Sequence, residues 1–184
     1  MCLDGTAGGL VEILPLSLRC FQLRSRSRER RRVPAAKLAI DVDDVVADLD
    51  AISGEAPALE ACVELEGLGF ELMIDAGIRS AATARQLAAE LDGDLIAALE
   101  TLPAPALLAE LVDELGAGRL IFSLDLADGR PLAPGDDWPS EAEEIAREAV
   151  SAGVERLILL DLKAVGTGEG PAHLERCAAL KESY

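Results

Sequence analysis

The sequence is poor in the residues that most often announce a site. His173 is the only histidine, and no spacing of His, Cys, Asp and Glu follows a metal-ligand pattern. The scattered acids would hold Mg²⁺ or Ca²⁺ only loosely. Cys2, Cys20, Cys62 and Cys177 stand too far apart for a zinc knuckle or a redox pair. Reduced thiols in the cytoplasm are therefore the expectation. No apolar run is long enough to span a bilayer: "GGLVEILPL" is short, is broken by Glu12 and Pro15, and has no basic residue before it. Nothing at the N-terminus reads as a secretory signal.

Lysine is scarce too, with only Lys37, Lys163 and Lys181, while the net charge is −17. The imbalance is uneven along the chain. Arg19, Arg24, Arg26, Arg28, Arg30, Arg31, Arg32 and Lys37 hold 8 of the 17 basic residues, and from Leu38 onward 9 bases face 31 acids. So acidic a body repels nucleic acid and anionic membranes, which excludes both as natural partners. Two readings fit the charge: adaptation to concentrated salt, where screening weakens self-repulsion, or a merely acidic protein of ordinary surroundings.

What the sequence does have is apolar residues, half of the total over 184 positions, enough for one domain with a sizeable core. From Asp43 the pattern becomes periodic. "DVVADLDAI" (Asp44 to Ile52), "FELMIDAGI" (Phe70 to Ile78), "GDLIAALETL" (Gly93 to Leu102), "RLIFSLDLADG" (Arg119 to Gly129) and "RLILLDLKAVG" (Arg156 to Gly166) read as short buried strands. Between them, "PALEACVELEGLG", "SAATARQLAAELDG", "PAPALLAELVDELGAG" and "WPSEAEEIAREAVSAG" carry helical spacing, begin near Ser or Pro and end in Gly. Alternating strands and helices predict a parallel sheet covered by helices.

Asp50, Asp75, Glu100 and Asp125 recur every 25 residues, and Asp161 follows 36 later, after the polar insertion "DLADGRPLAPGDDWPSE". So regular a repeat favours a barrel of equal units over an open sheet with a switch in direction. An acid at each strand's C-terminal end would gather all of them on one rim, where such folds build their sites. The competing reading is that each acid caps the next helix. Asp125 fits the cap least, because a wide polar loop follows it. Trp138 is expected to pack that loop or start the next helix.

Five segments carry a family likeness: "VADLDAI" (Val46 to Ile52), "DAGIRS" (Asp75 to Ser80), "ALETL" (Ala98 to Leu102), "FSLDLADGRPL" (Phe122 to Leu132) and "LDLKAVGTGEGP" (Leu160 to Pro171). In order and spacing they resemble the histidine-biosynthesis barrels, the HisA and HisF family. Within that family they are similar to the divergent HisA-like proteins related to the phosphoribosylformimino-aminoimidazole carboxamide ribotide isomerase. The resemblance implies an α/β fold, a TIM (β/α)₈ barrel of the ribulose-phosphate-binding type, with strands two to six present here. "CLDGTAGGLVE" is similar to the first strand and would place Asp4 in a catalytic position. Strands seven and eight are not recognisable, so residues 38–184 are expected to form a partial barrel whose open edges invite self-association. For residues 1–37 three readings stay open: a basic anion-binding arm, a targeting segment, or a wrongly framed or started N-terminus, which best fits so arginine-rich a stretch in so acidic a chain.

The resemblance further implies an intramolecular oxidoreductase-type isomerase performing an Amadori rearrangement, without a cofactor, on a small substrate such as a phosphorylated sugar. Asp125 matches the family's fifth-strand catalytic Asp, Thr167 the Thr after strand six, and Asp4 would be the partner acid. With a single histidine, carboxylates must supply the acid and base. Asp50, Asp75, Gly77, Gly166 and Gly168 fall at substrate-binding positions, and the "GTGEG" loop could cradle an anion or be a plain turn. Departures matter as well. Asp75 and Ala76 replace the glycine pair that lets backbone amides approach a phosphate, and Glu169 stands in for a later acid now Ala172. These changes argue against a bisphosphorylated ribotide. Relatives of the divergent branch are associated with one-carbon, methanopterin-type pathways. The alternative is a non-catalytic barrel acting as a binding or assembly subunit. His173 is expected on a helix surface rather than as a ligand.

Overall fold

The computed structural model describes residues 12–14, 20–23, 44–164 and 173–184. The elements among them are β1 (Glu12–Leu14), β2 (Cys20–Leu23), β3 (Asp44–Asp48), α1 (Leu49–Ile52), α2 (Leu59–Gly67), β4 (Leu72–Asp75), α3 (Ala81–Glu90), β5 (Asp94–Ala98), α4 (Ala106–Leu115), β6 (Leu120–Ala127), β7 (Arg130–Pro131), α5 (Ala142–Ser151), β8 (Arg156–Asp161) and α6 (Leu174–Ser183). A 3₁₀ turn at Leu99–Thr101 follows β5.

The strand order is β1-β8-β6-β5-β4-β3-β2, with β7 an antiparallel addition to β6. Every other pairing is parallel. From β3 to β8 each new parallel strand is laid on the same side of the last. The sheet therefore winds in one direction, as a barrel does, rather than reversing as an open doubly wound sheet must. The described pairings leave β1 and β2 at opposite ends of the order, so the fold is a partial TIM barrel. The neighbour of β3 on its outer side is β2, Cys20–Leu23.

Strands β3, β4, β5, β6 and β8 are buried on both faces, which is why they read as unbroken apolar runs. One face meets the helices: Val46, Leu72, Ile74, Leu95, Ala97, Leu120, Phe122, Leu124, Leu157 and Leu159 join Leu87 of α3, Leu108 and Leu111 of α4, and Ile145 and Ala149 of α5 in one cluster. Truncating a leucine buried as fully as Leu108 or Leu111 costs about 2–5 kcal/mol. The other face carries a smaller cluster, Val45, Met73, Ile96, Ile121 and Ile158, with Leu160 against it. This is the inner face of the arc.

The strands are shorter than their apolar runs. β3 ends at Asp48, whose side chain accepts from the Ala51 N–H as the N-cap of α1, and Asp50 falls in the first turn of that helix instead of at a strand end. Glu100 lies in the 3₁₀ turn. At the sheet's other end, arginines tie the layers: Arg156 pairs with Asp94, and Arg119 donates to the carbonyls of Ala88, Leu91 and Gly93. Charges at that end serve stability, and the chemistry is to be sought at the opposite mouth. None of the helices among the described residues is long and apolar enough to cross a membrane.

Candidate functional site

Asp125 lies near the C-terminal end of β6 and is 3 % exposed. Side chains alternate along a strand, so it shares the inner face with Ile121 and Ser123, while Leu124 and Leu126 meet the helices. The Ser123 hydroxyl donates to Asp125 Oδ1 at 2.6 Å, and the Glu100 N–H reaches Oδ2 at 3.5 Å. Burial pushes the carboxyl up to about 8, and the charges of Asp75 and Glu100 add to the rise against the opposing hydrogen bonds. These surroundings favour the protonated form.

Asp75 closes β4 and sits on the same face as Met73. Burial raises its carboxyl to about 6. The Gly77 N–H, donating to Asp75 Oδ1 at 3.0 Å, pulls it down, as does the Arg79 charge, while Glu100 and Asp48 push it up. Gly77 has φ +63, and a Cβ there would lie 2.6 Å from the Ala51 carbonyl oxygen, so only glycine fits. Arg79 fixes this turn by donating to the carbonyls of Ala51, Gly77 and Ile52. Three carboxyl groups, Asp75, Glu100 and Asp125, thus act on one another at one mouth. Among the described residues no group of three or more His, Cys, Asp and Glu is placed to hold a metal ion.

The support beneath them is specific. The Thr101 hydroxyl, buried, donates to the carbonyl oxygens of Ile78 and Ala98 and so joins the turns after β4 and β5. Trp138 Nε1 donates to the Leu102 carbonyl at 2.8 Å, and its indole stacks on Phe122 with ring centres 5.9 Å apart. The long loop after β6 is pinned by this residue.

Asp161 shares the rim but not the face. It follows Leu157 and Leu159 on the helix side of β8, and its carboxylate accepts from the N–H groups of Asp128, Gly129 and Lys163 and from His173 Nε2 at 2.7 Å. Burial alone would raise this carboxyl, but those four donors outweigh it and bring it down to about 2. An ionised carboxylate accepts only, so Nε2 is the donor. Asp128 and Gly129, with φ of +54 and +75, form the two-residue turn between β6 and β7. Asp161 locks that hairpin to the start of α6. His173 is therefore a partner of a buried acid, half-buried at the N-cap of α6, and more than a helix-surface residue.

Of the residues expected to form a site, the structure brings Asp75, Gly77 and Asp125 together and places Asp50 in α1. Asp4, Gly166, Thr167 and Gly168 lie outside the described residues. Ser123 and Arg79 were legible only as neighbours of the acids, although "SLD" on a period-two strand puts Ser123 and Asp125 on one face.

No curated protein matches the sequence. The family model described as "Histidine biosynthesis protein" matches residues 42–184. The singly wound parallel sheet, the acids at its C-terminal mouth and that match agree, and the chain belongs to this family, the HisA and HisF family.

Proposed function

We propose that the mouth of this barrel carries out acid–base chemistry of the Amadori class on a small sugar-like substrate, with Asp125 as general acid and Asp75 as general base. The observation that carries the reading is the buried Asp125 carboxyl, raised to about 8 beside a second acid raised only to about 6. Two carboxyls whose surroundings separate their proton affinities are what such a reaction needs. Between those values Asp125 is protonated and Asp75 ionised. The acid protonates the ring oxygen of an aminoaldose and opens it to the iminium. The base then removes the C2 proton to give the enaminol, and return of that proton to C1, as the C2 hydroxyl gives its own proton to Asp125, yields the aminoketose and restores both carboxyl groups. Each group so placed contributes about 10² to 10⁴-fold.

Thr167 and Asp4 stay in the proposal on their sequence positions alone, as do Asp50, Gly166 and Gly168 as substrate contacts. The test is turnover of an N-glycosylamine by the full chain and by Asp125→Asn. Loss of at least about 10²-fold in kcat is expected; unchanged turnover would remove Asp125 from the chemistry. A second reading, a binding or assembly subunit without catalysis, is favoured by Asp75 and Ala76 standing where phosphate-cradling glycines would. Under it neither protein turns over, and Asp125→Asn changes stability alone.

A further inference from the structure

Backbone N–H groups in the turn after a parallel strand are a natural seat for an anion at the mouth of the sheet. After β4 that seat is filled from within the chain. The Gly77 N–H is taken by Asp75 Oδ1 at 3.0 Å, and the turn is held in this shape by the close approach of Gly77 to the Ala51 and Ile52 backbone. The Arg79 charge already acts on Asp75, and three of the guanidinium's five N–H groups are committed to the carbonyls of Ala51, Gly77 and Ile52. Asp48 and Glu100 lie near enough to act on the Asp75 charge. An incoming phosphate would have to displace a tethered carboxylate from the amide and then sit among three acids.

We propose that Asp75 is a specificity-determining residue. Its carboxylate acts as a built-in ligand for the Gly77 amide, so the β4 corner of the mouth turns phosphate away and receives an uncharged, hydroxyl-bearing part of the substrate. The substrate class follows: a sugar derivative carrying no phosphoester at the end that lies against β4. This deepens the function proposed above by resting on the same mouth as the substrate site, and it does not depend on Asp125 acting as the acid.

The test is a titration of the full ¹⁵N-labelled chain with inorganic phosphate, against sodium chloride of matched ionic strength, read at the Gly77 amide resonance. In the wild type the resonance stays in place. In Asp75→Gly it moves saturably, with phosphate bound at least about 10-fold more tightly than by the wild type. Asp75→Ser, which keeps a short polar side chain at the strand end, serves where the glycine variant fails to fold and moves in the same direction. Phosphate that shifts Gly77 as strongly in the wild type, or that shifts it in neither folded variant, overturns the proposal. The readout is ion binding and not turnover, so it is unaffected by whether Asp125→Asn retains activity, the result on which the proposed function stands or falls.

Discussion

Ser123 and Asp125, two positions apart on β6, point to the same inner face, and the serine hydroxyl lies 2.6 Å from the carboxyl it steadies. The pair fixes one oxygen of Asp125, and among the described residues the other receives only the long contact from the Glu100 N–H. Ser123→Ala removes a hydrogen bond that favours the ionised form, so the Asp125 carboxyl should rise further above its present value of about 8. Comparing the alkaline limb of the pH–rate profile in the two proteins checks this, and an unmoved limb would separate Ser123 from the titration.

The two groups of acids should leave opposite marks on stability. Asp125 and Asp75 have carboxyls raised above the ordinary 3.8, so the folded state prefers their protons, and stability falls as pH rises from about 4 towards about 8. Asp125→Asn should flatten most of that decline. Asp161 is lowered to about 2, so its contribution is complete above the ordinary value and is lost as pH falls from about 4 to about 2. The loss amounts to about 2 kcal/mol. Denaturant midpoints measured across pH in the wild type, Asp125→Asn and Asp161→Asn separate the two limbs.

Gly77→Ala would place a methyl group 2.6 Å from the Ala51 carbonyl oxygen at a φ of +63. A cost of about 2 kcal/mol or more is expected, with disturbance of the Asp75 contact. Thermal unfolding measures the first, and the amide shifts of the turn the second.

Trp138→Phe keeps an aromatic ring over Phe122 but strips the donor from the buried Leu102 carbonyl. About 1–3 kcal/mol should be lost, and the loop after β6 should become more open to proteolysis. Limited digestion followed by mass spectrometry locates the first cut.

The alternation of strands and helices was legible because each unit pairs an apolar run with an amphipathic helix, and the regular spacing of acids already argued for a barrel. The faces were not legible. Strands buried on both sides do not alternate, so nothing in "RLILLDLKAVG" tells that Asp161 meets the helix side while Asp125 in "RLIFSLDLADG" meets the inner side. Asp48 was passed over for Asp50 because an acid two positions along continues the same apolar run; only the bond to the Ala51 N–H reveals which of them ends the strand. The Asp128-Gly129 turn was present in the sequence as a hairpin signal within a stretch read as a polar insertion. Arg79 could not have been assigned the carbonyls of Ala51 and Ile52 as partners, since they lie 28 and 27 residues away.

The account turns on Asp125, buried at the mouth of the sheet, holding a proton at neutral pH. The most direct measurement is a ¹³C NMR titration of aspartate side-chain carboxyls, with Asp125 assigned by its disappearance in Asp125→Asn. A midpoint near 8 is the result predicted. A midpoint near the ordinary 3.8 would mean an ionised carboxylate, already open to water, and would contradict its role as the acid.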